Sequence, residues 1–406
     1  MTRTLLVAGL LRAAQARGWP LARLDGAAAD APLTGRDADL LAAWRPWAQW
    51  RALVLAVAAP LGWRLVMAVP TGSCLLLFLA RDDAGEFLQV DLHRALSARG
   101  VPFADPVRLF AAARIEEGAC RLDGEDARSV RALEYSLSHG RPRPTDAPVA
   151  PDHLRTAFGG LPPTWISALA VALWCRPGLV LRLAGAKLAD RLARWRRPPG
   201  ALWVVSGPDG AGKTSLLDTL AQIAPRQLAP DIRVLHTRPF LWPRRSAAVP
   251  PPAGTAAERR HGRARSWLRW GLAWADFRLG HWLHVRPHLV AGRLVLFDRY
   301  AFDYLVAPRR RGIDLGAGAV RRLAAAAAAP QGALFLVADP ATLVHRKGEA
   351  TLAEAARQVD AYRALARTVP HGLLIDTGDL GPAAVTRAAL VHMVEVMADH
   401  AHSDHP

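Results

Sequence analysis

Residues 207–215 read GPDGAGKTS, directly after the apolar run ALWVVS and directly before the helical run SLLDTLAQ. The order matters as much as the letters. A G-x-x-x-x-G-K-[ST] pattern between a buried strand and a helix turns successive backbone N–H groups onto one anion, and the helix N-terminus adds partial positive charge. Gly207, Gly212, Lys213 and Thr214 meet the pattern. The chain holds only three lysines, Lys187, Lys213 and Lys347, so a chance match is expected only ~0.002 times. The loop of Gly207, Asp209, Gly210, Ala211, Gly212, Lys213, Thr214 and Ser215 implies a bound nucleoside triphosphate, ATP first, with Mg2+. Lys213 is expected at the β- and γ-phosphates, the Thr214 hydroxyl at magnesium and Ser215 at an α-phosphate oxygen.

From residue 201 the runs ALWVVSG, IRVLH, RLVLFD, ALFLVAD and HGLLIDT are apolar on both faces and separated by helical patterns. Such strands need cover on both sides, which predicts an α/β domain over 198–406 with a five-stranded parallel sheet. The longest helical stretch carries Trp267, Trp270, Trp274 and Trp282 at mostly helical spacing, so their rings are expected in packing rather than on a base-stacking platform. Upstream, 140–163 has the proline and glycine content of a linker. Residues 164–196 read as helical with a basic last turn, so 141–197 is taken as linker and basic helices that pack between domains, with peripheral membrane contact as the other reading. A second proline-rich stretch at 244–260 reads as a surface loop or lid.

GPDGAGKTS followed by LFDRYAFDY resembles the thymidylate kinase-like branch of the nucleoside monophosphate kinases. The resemblance implies that Asp209 faces the sugar of the phosphoryl acceptor, that Asp298 holds magnesium through water, and that Arg299 contacts the acceptor phosphate. Tyr300 completes the Asp-Arg-aromatic motif on the acceptor side. RLVLFD also ends where a strand should open on the same crevice as the phosphate loop. Further on, the segment from ADPATLVHRKGEA resembles a lid. Phosphoryl transfer needs cations over the migrating group, and Arg346 and Lys347 are candidates, with Glu349 in the same turn and Arg357 a helical stretch later. Gly210 belongs to the loop variant that relies on lid cations.

The chain also departs from that family. Where thymidylate kinases carry a T-R-E-P-G-G-like segment, residues 236–243 read HTRPFLWP. Arg238 remains a candidate for the acceptor phosphate, while a thymidine base loses its support. DRYAFDYLVAPRRR further resembles a group of thymidylate kinase-like proteins found with bacterial surface-polysaccharide genes, which points to a different acceptor.

In the first 140 residues, LTGRDADLL at 33–41 and FLQVDLH at 87–93 resemble a degenerate nucleotidyltransferase of the DNA-polymerase-β type, a smaller α+β domain. Asp37 and Asp39 point to one face of a strand because side chains alternate, and Asp91 is the candidate third carboxylate. Carboxylates so spaced suit two-metal displacement chemistry. Arg36 stands where that family has a serine, so the expected site is vestigial.

The net charge of +17, carried almost wholly by arginine, suits nucleotide phosphates or a solvated basic surface. No zinc finger, stacked-aromatic RNA motif or basic repeat supports dedicated nucleic-acid binding. Cys74, Cys120 and Cys175 stand far apart with no C-x-x-C pair and read as buried thiols of a reducing compartment. No apolar run reaches the roughly 18 residues of a membrane span, and cytoplasmic residence is the default. The expected partners are a nucleotide and a phosphorylated small-molecule acceptor, with a homodimer compatible. The sequence thus points to a P-loop phosphotransferase, or alternatively to an ATP-binding switch or assembly factor for surface-polysaccharide synthesis.

Overall fold

The computed structural model of the chain describes residues 2–33, 35–98, 101–128, 130, 177–225, 227–236, 238–239, 241, 262–347 and 351–403. The linker at 140–163, the loop at 244–260, Cys175, Thr237, Glu349 and the Lys347 side chain lie outside the described residues. Two compact units result, Met1–Arg196 and Arg197–Pro406. No helix among the described residues is long and apolar enough to cross a membrane.

The first unit is α+β. Strands β1 (Leu21–Arg23), β2 (Asp37–Ala42), β3 (Trp63–Pro70), β4 (Cys74–Arg81) and β5 (Phe87–His93) form one sheet in the order β1-β2-β5-β4-β3. Only the β2–β5 pair is parallel. Helices α1 (Thr2–Gln15) and α2 (Trp47–Ala58) share one core with the sheet, in which Leu6, Leu10, Trp50 and Val54 join Leu40, Leu77, Leu79 and Val90. Because strand side chains alternate, Leu88, Val90 and Leu92 enter that core while Gln89, Asp91 and His93 turn to the other face. Two small antiparallel pairs, β6 (Leu96–Ala98) with β7 (Val101–Ala104) and β8 (Arg114–Glu116) with β9 (Ala119–Arg121), flank α3 (Pro106–Ala112).

The basic helix is described from residue 177 as α4 (Pro177–Arg196), and it is held within the first unit. Asp190 accepts from the Gly72 backbone N–H at 2.7 Å and from the Trp47 indole at 3.3 Å. Arg182 lies 4.2 Å from the centre of the Trp44 ring, which Arg94 also approaches at 4.4 Å. A cation over an indole face combines charge attraction with stacking, so arginine here serves packing.

The second unit is α/β, with a fully parallel five-stranded sheet. Its strands are β10 (Ala201–Ser206), β11 (Ile232–His236), β12 (Leu294–Asp298), β13 (Gly332–Val337) and β14 (Gly372–Asp376), in the order β11-β12-β10-β13-β14. All five predicted strands form. Central β10 and β13 are buried along their whole length, as strands covered on both faces must be. The chain leaves β10 toward one side of the sheet and reaches β13 on the other, so a crevice opens at the carboxyl ends of the strands. Around the sheet run α5 (Lys213–Ile223), α6 (Arg263–Gly280), α7 (Arg286–Val290), α8 (Phe302–Val306), α9 (Ala317–Ala326), α10 (Pro340–Lys347), α11 (Leu352–Thr368) and α12 (Pro382–Ser403).

The tryptophans of α6 and the turn after it correct the sequence expectation. Trp267, Trp274 and Trp282 are 49%, 41% and 55% exposed, and only Trp270 is partly covered, donating to the Ala319 carbonyl at 2.7 Å. The core-facing stripe is instead Ser266, Ala273, Phe277 and Gly280. At the end of that stripe the backbone approaches closely: a Cβ on Gly280 would stand 2.0 Å from the Pro239 carbonyl oxygen, so glycine is required there.

Candidate functional site

The phosphate loop leaves β10 at Gly207, whose φ of +152° and position against β13 exclude a side chain: a Cβ there would lie 2.1 Å from the Leu336 carbonyl oxygen. Gly212, with φ +82°, caps the start of α5. Lys213 follows at once and is buried, its ammonium donating to the Pro208 carbonyl at 2.6 Å across the loop. Burial, reinforced by the nearby Arg299 guanidinium, pulls the Lys213 pKa down to about 8. Thr214 and Ser215 are exposed on the first turn of α5. Thr377 braces the loop from behind, its single hydroxyl proton within reach of the Ala211 and Val337 carbonyl oxygens at 3.3 and 3.1 Å.

Beside the loop stands a web of arginines and carboxylates. Asp209 pairs with Arg299 and, at 3.4 Å, with Arg310. Asp303, on α8 and 2% exposed, accepts from Arg299 at 2.9 Å, from Arg311, from the Ser206 hydroxyl at 2.6 Å and from the Tyr362 hydroxyl at 3.1 Å. Burial alone would push the Asp303 carboxyl up, but Arg311 and Arg299 outweigh it and hold the pKa below the usual carboxylate range. Asp209 is lowered in the same way, with burial opposed by Arg299, Lys213 and Arg310. Arg299 itself has φ +68°, uncommon for a residue with a side chain, and its N–H donates to the Val205 carbonyl at 2.9 Å. That backbone turn points the guanidinium at both carboxylates.

Asp298 ends β12 and sits in register with Val205 of β10 and His236 of β11. Its Oδ2 lies 3.0 Å from His236 Nδ1, while Oδ1 is buried without a hydrogen-bond partner among the described residues. A buried carboxylate oxygen left in that state fits a hydrated cation, so Asp298 and the Thr214 hydroxyl suit magnesium by the chemistry of their donors. Arg346, on α10, reaches back over the loop, with its guanidinium 3.4 Å from the Gly210 carbonyl and 3.5 Å from that of Thr377.

Other candidates stand elsewhere. Tyr300 is 3% exposed, packs on Phe277 and Phe297, and donates its hydroxyl to the Ala328 carbonyl at 2.9 Å. It therefore belongs to the core and not to an acceptor surface, because its one polar atom is already satisfied. Arg238 pairs at 3.0 Å with Asp276 of α6. Arg357 forks onto Glu354 one turn earlier and is 72% exposed, a solvated helix charge. Asp303, Arg310 and Arg311 were missed as site residues, although all three lie within DRYAFDYLVAPRRR. The only signal was the clustering of charge after the strand.

In the first unit, the parallel register sets Asp39 directly opposite Asp91. His93 follows two residues on, and the antiparallel β4–β5 register sets Cys74 opposite His93. Asp39, Asp91 and His93 each offer a ligand atom within 4.8 Å of the others, and Asp37 stays outside that group. Of the three carboxylates expected from sequence, Asp39 and Asp91 come together, and the third member of their group is the His93 imidazole in place of Asp37. Burial, with Asp39 adding to it, raises the Asp91 pKa to about 6. Cys74 and His93 are 19 residues apart in sequence and meet only through strand pairing.

No family model matches the chain, and no curated protein matches it. Among solved structures, the chain is similar to thymidylate kinase from Ehrlichia chaffeensis, with 15% identity over 48% of this chain and 100% of that one, at a TM-score of 0.33.

Proposed function

We propose that the second unit transfers the terminal phosphoryl group of ATP, with magnesium, to an acceptor that itself carries a phosphate, such as a nucleoside monophosphate or a sugar phosphate. One observation carries this reading: Asp209, in the phosphate loop, and Arg299, after β12, are joined in a single ion-pair web with Arg310, Arg311 and Asp303. Arg299 stands beside the phosphate loop with its guanidinium shared between Asp209 and Asp303, so an anion entering next to the triphosphate meets a cation that it can take over from Asp209.

Each residue has a task in the transfer. Backbone N–H groups of the glycine turn and Lys213 bind the β- and γ-phosphates. Thr214 and Asp298 hold the metal, whose chemistry is to neutralise phosphate charge as it develops. Arg299 receives the acceptor phosphate, exchanging part of its pairing with Asp209 for it, and Asp209 is then free to accept from an acceptor hydroxyl. Arg346, above Gly210, offsets charge on the migrating group. Because there is little covalent chemistry for a protein to do in phosphoryl transfer, positioning and charge supply the rate.

The first unit is read as nucleotidyltransferase-like in descent but without two-metal transfer, since Arg36 replaces the family serine and Asp37 lies apart from the donor cluster.

The deciding experiment incubates the purified chain with ATP, Mg2+ and a panel of nucleoside monophosphates and sugar phosphates. The expected result is acceptor-dependent ADP with a phosphorylated product. ATP binding without any acceptor-dependent product, whether or not ADP is released, supports the switch reading instead, and no ATP binding at all overturns both.

A further inference from the structure

We infer that the first unit carries a site for one divalent cation of the borderline, zinc-like class, with Asp39, Asp91 and His93 as its ligands. Two paired strands build it. Asp39 of β2 and Asp91 of β5 are Cα partners in a parallel pair, and His93 emerges on the same face because strand side chains alternate. Their ligand atoms lie within 4.8 Å of one another, and His93 Nε2 stands 3.4 Å from Asp39 Oδ1. Metal–ligand bonds of about 2.0–2.2 Å place neighbouring tetrahedral donors roughly 3.3–3.6 Å apart, so small side-chain rotations suffice to close the set.

Two features separate this arrangement from a catalytic Cys-His-Asp relay. Such a relay strings its members through both imidazole nitrogens, whereas here Asp39 and the Cys74 sulfur, at 4.0 Å, both face the same Nε2. Donors that converge on one point describe a ligand sphere. Second, Gln89 donates its amide to both oxygens of Asp91, at 2.9 and 3.0 Å, which orients that carboxylate while leaving it lone pairs for a cation. Such outer support is what metal-bound carboxylates commonly have.

The donor set selects the cation. Magnesium and calcium take oxygen ligands, and an imidazole in the set shifts preference to zinc and its neighbours. Cys74, buried against the imidazole, adds a soft sulfur beside the three ligands. Asp39 is 54% exposed, so a cation can enter from solvent and keep a water on its open side.

The test titrates Co2+ into the metal-stripped full chain without nucleotide, following its visible d–d absorption, and then competes it with Zn2+ and with Mg2+. One equivalent of Co2+, displaced by Zn2+ and not by excess Mg2+, is expected. His93→Gln is expected to weaken binding by about tenfold or more. Asp39→Asn, at an exposed position, repeats the test with little demand on the fold, and circular dichroism of the apo proteins verifies folding. No bound Co2+, or binding that both variants retain at wild-type strength, overturns the site. Displacement by Mg2+ with unchanged affinity in His93→Gln also overturns it, since that marks a carboxylate-only site. Asp298→Asn, in the other unit, is expected to leave this titration unaltered, so failure here is distinct from failure of the kinase reading.

Discussion

The carboxylate of Asp209, inside the phosphate loop, is held by the guanidinium of Arg299, the residue that follows β12. The pair links the triphosphate side of the crevice to the side assigned to the acceptor, and it lies next to a lysine whose charge is itself weakened by burial. Occupancy of one side is therefore expected to be felt electrostatically on the other.

Lys213 supplies the first prediction. With a pKa of about 8 in the free protein, roughly half of the lysine is neutral at pH 8. A bound triphosphate favours the ammonium and raises that pKa, so binding near pH 8 takes up protons, about half of one per site. Calorimetry in buffers of different ionisation enthalpy measures this uptake. Lys213→Ala is expected to abolish both the uptake and ATP turnover while the protein stays folded. The sign for stability is the reverse of a paired lysine's: a depressed pKa means that folding carries a penalty below about pH 8, relieved as pH rises toward the unfolded value.

Asp298→Asn is expected to raise the magnesium concentration needed for half-maximal activity and to lower the maximal rate, by about 10²–10³-fold if the carboxylate orients the metal's water. An amide keeps the contact to His236 but not the charge at the buried Oδ1. Superimposable magnesium titrations of the two proteins remove Asp298 from the site.

Asp303 is the buried hub of the arginine web, and Asp303→Asn leaves Arg299 and Arg311 short of a counter-charge. Breaking one side of such a buried pair costs about 3–5 kcal/mol, which denaturant unfolding of the second unit reads directly. The pH dependence has a definite sign. Because the folded pKa is depressed, the stabilisation is full above the unfolded carboxylate value of about 3.9 and is lost as pH falls through the lower folded one. The variant is expected to lack that acid-side loss.

Arg346→Ala is expected to lower kcat more than it raises KM, because a cation over the migrating group acts on charge that develops in the transition state. Steady-state kinetics with varied ATP separate the two. A change confined to KM assigns Arg346 to ground-state binding.

The local part of this protein was legible in the sequence. Gly207, Gly212, Lys213 and Thr214 form one contiguous turn, and the five apolar runs of the second unit are short-range patterns, so strand, loop and helix followed from spacing alone. Tertiary structure decided what depended on distant partners. Tyr300 belongs to a motif by letter yet packs into the core, because Phe277 and Ala328 come to meet it. The inward face of α6 is the one where Phe277 meets Tyr300 and Tyr304 and Gly280 meets Pro239, contacts that helical periodicity does not encode. Cys74, Asp39 and Asp91 were visible as separate residues, but only the pairing of β2, β4 and β5 sets them around His93. Sequence spacing reports neighbours along a strand or a helix turn, whereas a site assembled across strands is fixed by register, and register is settled by the buried face of the sheet.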